Sequence, residues 1–323
     1  VKAAGHHGPI TVFAPGRVDL SPGFTDVEPL CAELPGQVVN VALDLGVEVT
    51  VGDDLIAPSA HAFIDRLSQS LARRLAIPRP VVLSASGLPA GSGLGSSGAL
   101  SVALAYAFSL RAGTSVAPAD LVGLACAAER DSGLTGGTQD QLASLHGGAG
   151  VVHRYRDLGR RIAIDADLRA LGERLVLVHG AGSRNSGSII DRVLHERPRA
   201  ETMRTVSAMN TVSRQIAGSL RAGDYLRLAD LLDASTALLR RLHPDIVGDG
   251  VAEWLRALGA SGAKPCGAGG TGAVWAALVD PASQPTFAAG IAVAGWSVLP
   301  ASPSAVGVVC RQPHGLQSTT STG

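Results

Sequence analysis

The chain has few aromatic residues and no net charge. Only 3% of its 323 residues are Phe, Trp or Tyr, which removes the stacking platforms that single-stranded nucleic-acid binders rely on. Its 27 Lys plus Arg are matched by 27 Asp plus Glu, so no overall basic field can hold nucleic acid or an anionic membrane. Any handling of phosphate has to be local. Lysine is scarce, and the four cysteines, Cys31, Cys126, Cys266 and Cys310, show no C-x-x-C spacing. They are expected as buried free thiols rather than disulfides or zinc ligands. No uninterrupted apolar run reaches the roughly 18 residues of a membrane span, and no basic-then-apolar leader opens the chain. A soluble, cytoplasmic protein is expected. His6 and His7 stand in a Gly-rich opening stretch and are read as a mobile end rather than a metal site. No G-x-x-x-x-G-K-[ST] occurs, which excludes a P-loop, and no long internal repeat is present.

What the chain does have is glycine, 40 residues of it. The most informative cluster is Leu88-Pro-Ala-Gly-Ser-Gly-Leu-Gly-Ser-Ser-Gly-Ala-Leu100. It follows an apolar strand at Val81 to Leu83 and opens a helix at Ala99, Leu100, Val102, Ala103 and Leu104. A bare backbone leading into a helix N-terminus offers free N–H groups and partial positive charge to an anion. Gly93 to Gly98 also satisfies the dinucleotide pattern G-x-G-x-x-G. That fold needs a second parallel strand ending in an acid about 20 residues on, whereas Val116 to Arg130 reads as a helix with Asp120 in its first turn. The remaining alternative is a tight turn with no ligand.

Strands are predicted at Ile10 to Leu20, Val38 to Val51, Val81, Val151 to His153, Arg161 to Ile164 and Leu175 to His179. Helices are predicted at Ala60 to Ile77, after the glycine cluster as far as Arg111, and at Pro118 to Arg130. Further helices fall at Ser188 to Leu194, Ala200 to Leu220, Tyr225 to Leu242 and Val251 to Leu258, with Gly223-Asp224 as the start signal of the third. Strands at Ala273 to Val279, Trp296 to Leu299 and Ala305 to Val309 close the chain before a polar tail. The order of elements predicts an N-terminal half (1–165), a C-terminal half (166–311) and a disordered tail (312–323).

Four features stand in sequence: Ala14-Pro-Gly-Arg17-Val-Asp-Leu20 leading into Gly23-Phe-Thr-Asp26; the glycine cluster; Glu129 followed by Gly136-Gly-Thr-Gln-Asp140-Gln141; and Gly267-Ala-Gly-Gly-Thr-Gly272. Together they resemble the GHMP kinases, the family of galactokinase, homoserine kinase and mevalonate kinase. The resemblance runs from about residue 10 to 280. It implies an α+β fold, with an N-terminal ribosomal-protein-S5-domain-2-like α/β domain and a C-terminal ferredoxin-like α+β domain.

It also implies ATP- and Mg²⁺-dependent phosphoryl transfer. Phosphoryl transfer needs an anion cradle, a divalent cation, an orienting base and cations for developing charge. By resemblance, Gly91, Ser92, Gly93, Leu94, Gly95, Ser96, Ser97, Gly269 and Gly270 bind ATP, while Ser97 and Glu129, eleven residues before Asp140, hold Mg²⁺. Asp140 would be the catalytic base with Arg17 beside it, and Thr25, Asp26 and Gly137 would meet the substrate. Without the resemblance, Glu129 reads as a helix-surface acid, Asp26 as a turn residue and Arg17 as a surface salt-bridge partner. Arg184, a cation near a turn and helix start, is a candidate substrate contact on its bidentate geometry alone, with a solvated cation as the alternative.

Gly23-Phe24 replaces the Glu-His pair that precedes Thr-Asp in galactokinase, and points to the branch of L-fucokinase and D-glycero-D-manno-heptose 7-phosphate kinase. That implies transfer to the anomeric hydroxyl of a heptose 7-phosphate or a fucose-like sugar, by a monomer or homodimer with no nucleic-acid or membrane partner. Pro22, Thr138 and Thr271 depart from the usual pattern. A GHMP-fold sugar sensor without catalysis, and a GHMP kinase for a non-sugar alcohol, are the competing readings.

Overall fold

Two long antiparallel strands, β1 (Ile10–Asp19) and β2 (Gly36–Gly52), are the backbone of the first half. Val12, Val18, Val39, Val41, Val47, Val49 and Val51 are all buried along them, as suits β-branched residues on a pleated, covered surface. The computed structural model describes residues 8–53, 55, 61–89, 91–134, 136–156, 158–180, 186–196, 198–270 and 272–311. His6, His7, Arg184, Thr271 and the tail at 312–323 lie outside these.

A short helix α1 (Leu30–Glu33) joins β1 to β2, and α2 (Ala62–Leu75) and β3 (Val81–Ser86) lead to α3 (Ser96–Arg111). Then come α4 (Pro118–Asp131), α5 (Gln139–His146), β4 (Ala149–Tyr155) and β5 (Leu158–Ile164). The second half holds α6 (Leu168–Gly172), β6 (Leu175–His179), α7 (Ser186–His195), α8 (Arg199–Ala222) and α9 (Tyr225–Leu242). It finishes with α10 (Val251–Ala257), β7 (Ala260–Pro265), β8 (Val274–Val279), α11 (Gln284–Val293), β9 (Ser297–Leu299) and β10 (Val309–Arg311). Asp224 starts α9 as its sequence predicts, its side chain accepting from the Arg227 N–H at 3.0 Å.

The first sheet runs β10-β1-β2-β4-β5, with β3 paired to the far end of β2; the second runs β7-β8-β6-β9. β6 and β8 are buried on both faces. Leu175, Leu177, Val274, Ala276 and Leu278 join the main core, while Val176, Val178, Trp275, Ala277 and Val279 join a second core with Phe24, Met209 and Phe287. Their alternation thus feeds two cores at once.

α3 is buried almost all round, from Gly98 to Ser109, which makes it a central core helix rather than an amphipathic surface one. Phe108 is fully buried in it, a side chain whose truncation costs about 3–5 kcal/mol.

The closing strand returns across the sequence-based boundary at 165. β10 falls within the expected C-terminal half, yet it pairs with β1, Thr11 opposite Arg311, and Leu43 bridges to Pro303. An uncovered β1 edge would leave backbone groups unpaired, and the returning chain supplies their partners. Cys310 is consequently exposed on this edge strand, not buried as expected; Cys31, Cys126 and Cys266 are buried, and all four thiols are free. α11 was not foreseen, and α5 only at its first turn. Among the described residues no helix is long and apolar enough to cross a membrane.

Candidate active site

Pro15 has no N–H for the ladder, and the β1–β2 register shifts between Pro15 and Arg17, a bulge that re-aims the next side chain. Arg17 uses this freedom. Its backbone N–H donates to Leu94 O at 2.9 Å, and its buried side chain reaches Asp140. Nε lies 2.9 Å and Nη2 2.7 Å from Asp140 Oδ1, while Nη1 donates to Gly93 O. One guanidinium therefore ties β1, the glycine-rich turn and α5 together. Burial opposes its charge, but Asp140 and Asp19 outweigh burial and hold it above the ordinary arginine value.

The turn has the form its sequence suggests. α3 begins with no side-chain cap and no acid in its first turn, so its first N–H groups are open to an anion. Ser96 and Ser97 are half-buried at that end, with Leu94 buried beneath. The second glycine cluster packs directly on the turn. Val274 N–H donates to Ser92 O at 2.8 Å, and a Cβ on Gly93, whose φ is +77°, would fall 2.2 Å from Cys266 O. Gly269 N–H donates to Cys266 O and Gly270 N–H to Ile246 O. These two expected ATP-binding glycines thus shape the loop rather than presenting free donors.

Asp140 is in the first turn of α5, where an acid suits the helix dipole, and its side chain is 23% exposed. Since both Arg17 nitrogens bind Oδ1, Oδ2 is left for another partner. Ser144 anchors the same helix to the bulge through Pro15 O at 2.6 Å. Asp26 caps α5: its Oδ2 accepts from the N–H groups of Thr138 at 3.0 Å and Gln139 at 3.2 Å. Its Oδ1 is buried without a donor, and burial, followed by Asp140, pushes its carboxyl above the usual range. Gly137 passes so close that a Cβ would lie 1.8 Å from Asp26 Oδ2.

Thr25, expected at the substrate, uses its hydroxyl within the protein. Its hydroxyl donates to Gln37 O at 2.9 Å and accepts from Gln37 N–H at 3.1 Å, so the side chain braces the start of β2. Beside it, Phe24 is held at φ +58°, a region costly for a bulky residue, and its ring packs into the second core. Arg184 lies outside the described residues.

Glu129, half-buried near the end of α4, points its carboxylate at the same region. Oε1 accepts from Ser101 Oγ at 2.8 Å and Oε2 from Gln141 Nε2. Burial raises its carboxyl to about 7, with Asp140 adding to the shift. Among the described residues no salt bridge to it is seen, and each oxygen keeps a lone pair. A desolvated carboxylate held by neutral donors fits a divalent cation, which would supply the missing charge. Among the described residues no group of three His, Cys, Asp or Glu could hold a metal alone. Ser97 and Glu129 would share that role with phosphate and water oxygens.

Sequence reasoning missed Asp19, Lys264, Ser101 and the supporting amides of Gln139 and Gln141. The one available signal was compositional: Lys264 is the only lysine of the chain besides Lys2.

A model of the GHMP kinases N terminal domain matches residues 61–148, which include the glycine-rich turn, Glu129 and Asp140. Over 315 residues the chain is 26% identical to D-glycero-alpha-D-manno-heptose 7-phosphate kinase of Campylobacter jejuni, covering 85% of this chain and 91% of that protein. Over 222 residues it is 27% identical to mevalonate kinase of Aeropyrum pernix, covering 68% and 67%. The crystal structure of a D-glycero-D-manno-heptose 1-phosphate kinase from Bacteroides thetaiotaomicron shares the fold with a TM-score of 0.76 at 19% identity, covering 95% of this chain and all of that one. Residues 61–148 thus match the GHMP kinases N terminal domain, and the chain has the α+β fold of the GHMP kinases it is similar to.

Proposed function

We propose that this protein is an ATP- and Mg²⁺-dependent sugar kinase that transfers the γ-phosphoryl group to the anomeric hydroxyl of a sugar or sugar phosphate. The observation that carries the reading is Asp140, fixed through Oδ1 by Arg17 directly beside the glycine-rich turn, with Oδ2 available. The acceptor hydroxyl donates to Asp140 as its oxygen attacks the γ-phosphorus; the bond from that phosphorus to the β-bridging oxygen breaks and ADP leaves. The proton ends on Asp140. Open N–H groups at the start of α3 hold phosphate oxygens, and Arg17 keeps the carboxylate oriented. Mg²⁺, when bound, offsets phosphate charge.

A heptose 7-phosphate is the acceptor we favour, because the Campylobacter jejuni heptose 7-phosphate kinase aligns over 91% of its length and Gly23-Phe24 stands before Thr25-Asp26. The test is ADP release with a panel of heptose 7-phosphate, L-fucose, galactose, mevalonate and homoserine, using wild type and Asp140→Ala. Turnover of the heptose phosphate that vanishes in the variant supports the reading. Undiminished turnover by Asp140→Ala, or preference for a non-sugar alcohol, overturns it.

A further inference from the structure

Behind Arg17 lies a buried ion pair with no part in the reaction as written. Asp19 and Lys264 are both fully buried. Lys264 Nζ donates to Asp19 O at 2.7 Å and stands 3.2 Å from Asp19 Oδ1. Asp19 Oδ1 also accepts the Gly267 N–H at 3.0 Å, at the start of the second glycine cluster, while Asp19 Oδ2 meets no donor. Burying two charges is costly, and hydrophobic residues of similar size do as well or better for stability alone.

The pair has a particular position. Asp19 is two residues after Arg17 on β1, and the charges of Asp140, Arg17, Asp19 and Lys264 follow one another in alternating sign across the contact between the two sheets. Burial pushes the Cys266 thiol up, and the charges of Lys264, Asp19 and Arg17 act on it as well. If Lys264 were neutral, Arg17 would have to answer both the buried Asp19 and the partly exposed Asp140.

We propose that Asp19 and Lys264 are positioning residues: Lys264 satisfies Asp19 so that Arg17 stays committed to Asp140, and Asp19 in turn holds Gly267 so that the second glycine cluster seats against the phosphate-binding turn. The proposal rests on the kinase reading for Asp140 and Arg17, but its nucleotide arm does not depend on the acceptor. Lys264→Met is expected to lower kcat and to weaken binding of Mg·AMP-PNP, each by roughly tenfold, with the sugar KM unchanged. Lys264→Arg, which keeps the charge, and Asp19→Asn/Lys264→Met, which removes both charges while Asn can still accept from Gly267, are expected to recover most of kcat.

Kinetics and calorimetry are run well below each variant's melting temperature. A Lys264→Met protein that only melts earlier, with kcat and nucleotide affinity of wild type, overturns the proposal; so does a double variant no better than Lys264→Met. Where Lys264→Met does not fold, Asp19→Ala/Lys264→Met is compared with Asp19→Asn/Lys264→Met. Weaker nucleotide binding in the Ala variant, which lacks an acceptor for Gly267, supports the proposal, and equal binding overturns it. A wild type inactive on every sugar defeats the function proposed above, and the nucleotide affinities then decide the role of the pair.

Discussion

Arg17 gives two of its nitrogens to a single oxygen of Asp140, at 2.9 and 2.7 Å, and the third to the carbonyl of Gly93. The carboxylate is fixed by one oxygen and offers the other, so orientation and access are settled by separate atoms. Asp140→Asn, which cannot accept a proton, should lower kcat by roughly 10²–10⁴-fold. Arg17→Lys keeps the charge but cannot span three contacts with a planar fork; a kcat loss of about ten- to a hundredfold is expected. Because the two residues act as a unit, the double variant should be little worse than Asp140→Asn. Steady-state kinetics on the three proteins checks this, and additive losses would count against a shared role.

Glu129 makes stability depend on pH in a particular direction. Its carboxyl is raised to about 7 in the folded protein from an ordinary 4.5, so between those values the unfolded chain ionises while the folded one resists. Glu129 therefore costs nothing below about pH 4.5, and its penalty grows until pH 7, reaching on the order of 2 kcal/mol for this half-buried group. Glu129→Gln should remove that slope. Melting of both proteins at pH 5 and pH 8 without magnesium is the measurement, and wild type should lose more stability across the interval than the variant. Mg²⁺ should narrow the gap in wild type alone, since binding to the ionised carboxylate favours the folded state.

Thr25 provides a test of placement. Its hydroxyl is engaged on both sides of Gln37, so Thr25→Val should cost about 1–2 kcal/mol of stability and leave the sugar KM within about twofold, well under what losing a charged contact would cause. A large rise in KM without loss of melting temperature would put the hydroxyl back on the substrate.

Gly93→Ala probes the seam between the two glycine clusters. The added Cβ meets Cys266 O at 2.2 Å from a left-handed backbone, a combination expected to cost about 1–3 kcal/mol. Nucleotide affinity should fall with it. Calorimetry with Mg·AMP-PNP and thermal melting read the two effects, and an unaffected affinity would separate the seam from phosphate binding.

Much of this site was legible because its chemistry is local. The glycine run before α3 announces itself within a few residues, Arg17 and Asp140 are singled out by motifs of the family the sequence resembles, and all three meet in the structure. What stayed hidden depends on long sequence separations: Asp19 with Lys264, Glu129 with Ser101, and the pairing of β10 with β1. No local pattern encodes which buried carboxylate a distant lysine will find. Thr25 and the pair Gly269-Gly270 show the reverse, where a motif names the right neighbourhood but tertiary hydrogen bonds decide which atoms remain available. α11 is apolar with a proline in its first turn, and its pattern gives no clear face to read.

The return of β10 to the edge of β1 bears on how relatives of this protein could be recombined. A chimera made by exchanging everything after residue 165 would import a foreign border for the strand that bears Arg17 and Asp19. Two crossovers, one near 165 and one between β9 and β10, would keep that border native while still transplanting the second sheet. Inheritance in this fold is therefore not split at its apparent midpoint: the last described strand belongs with the first.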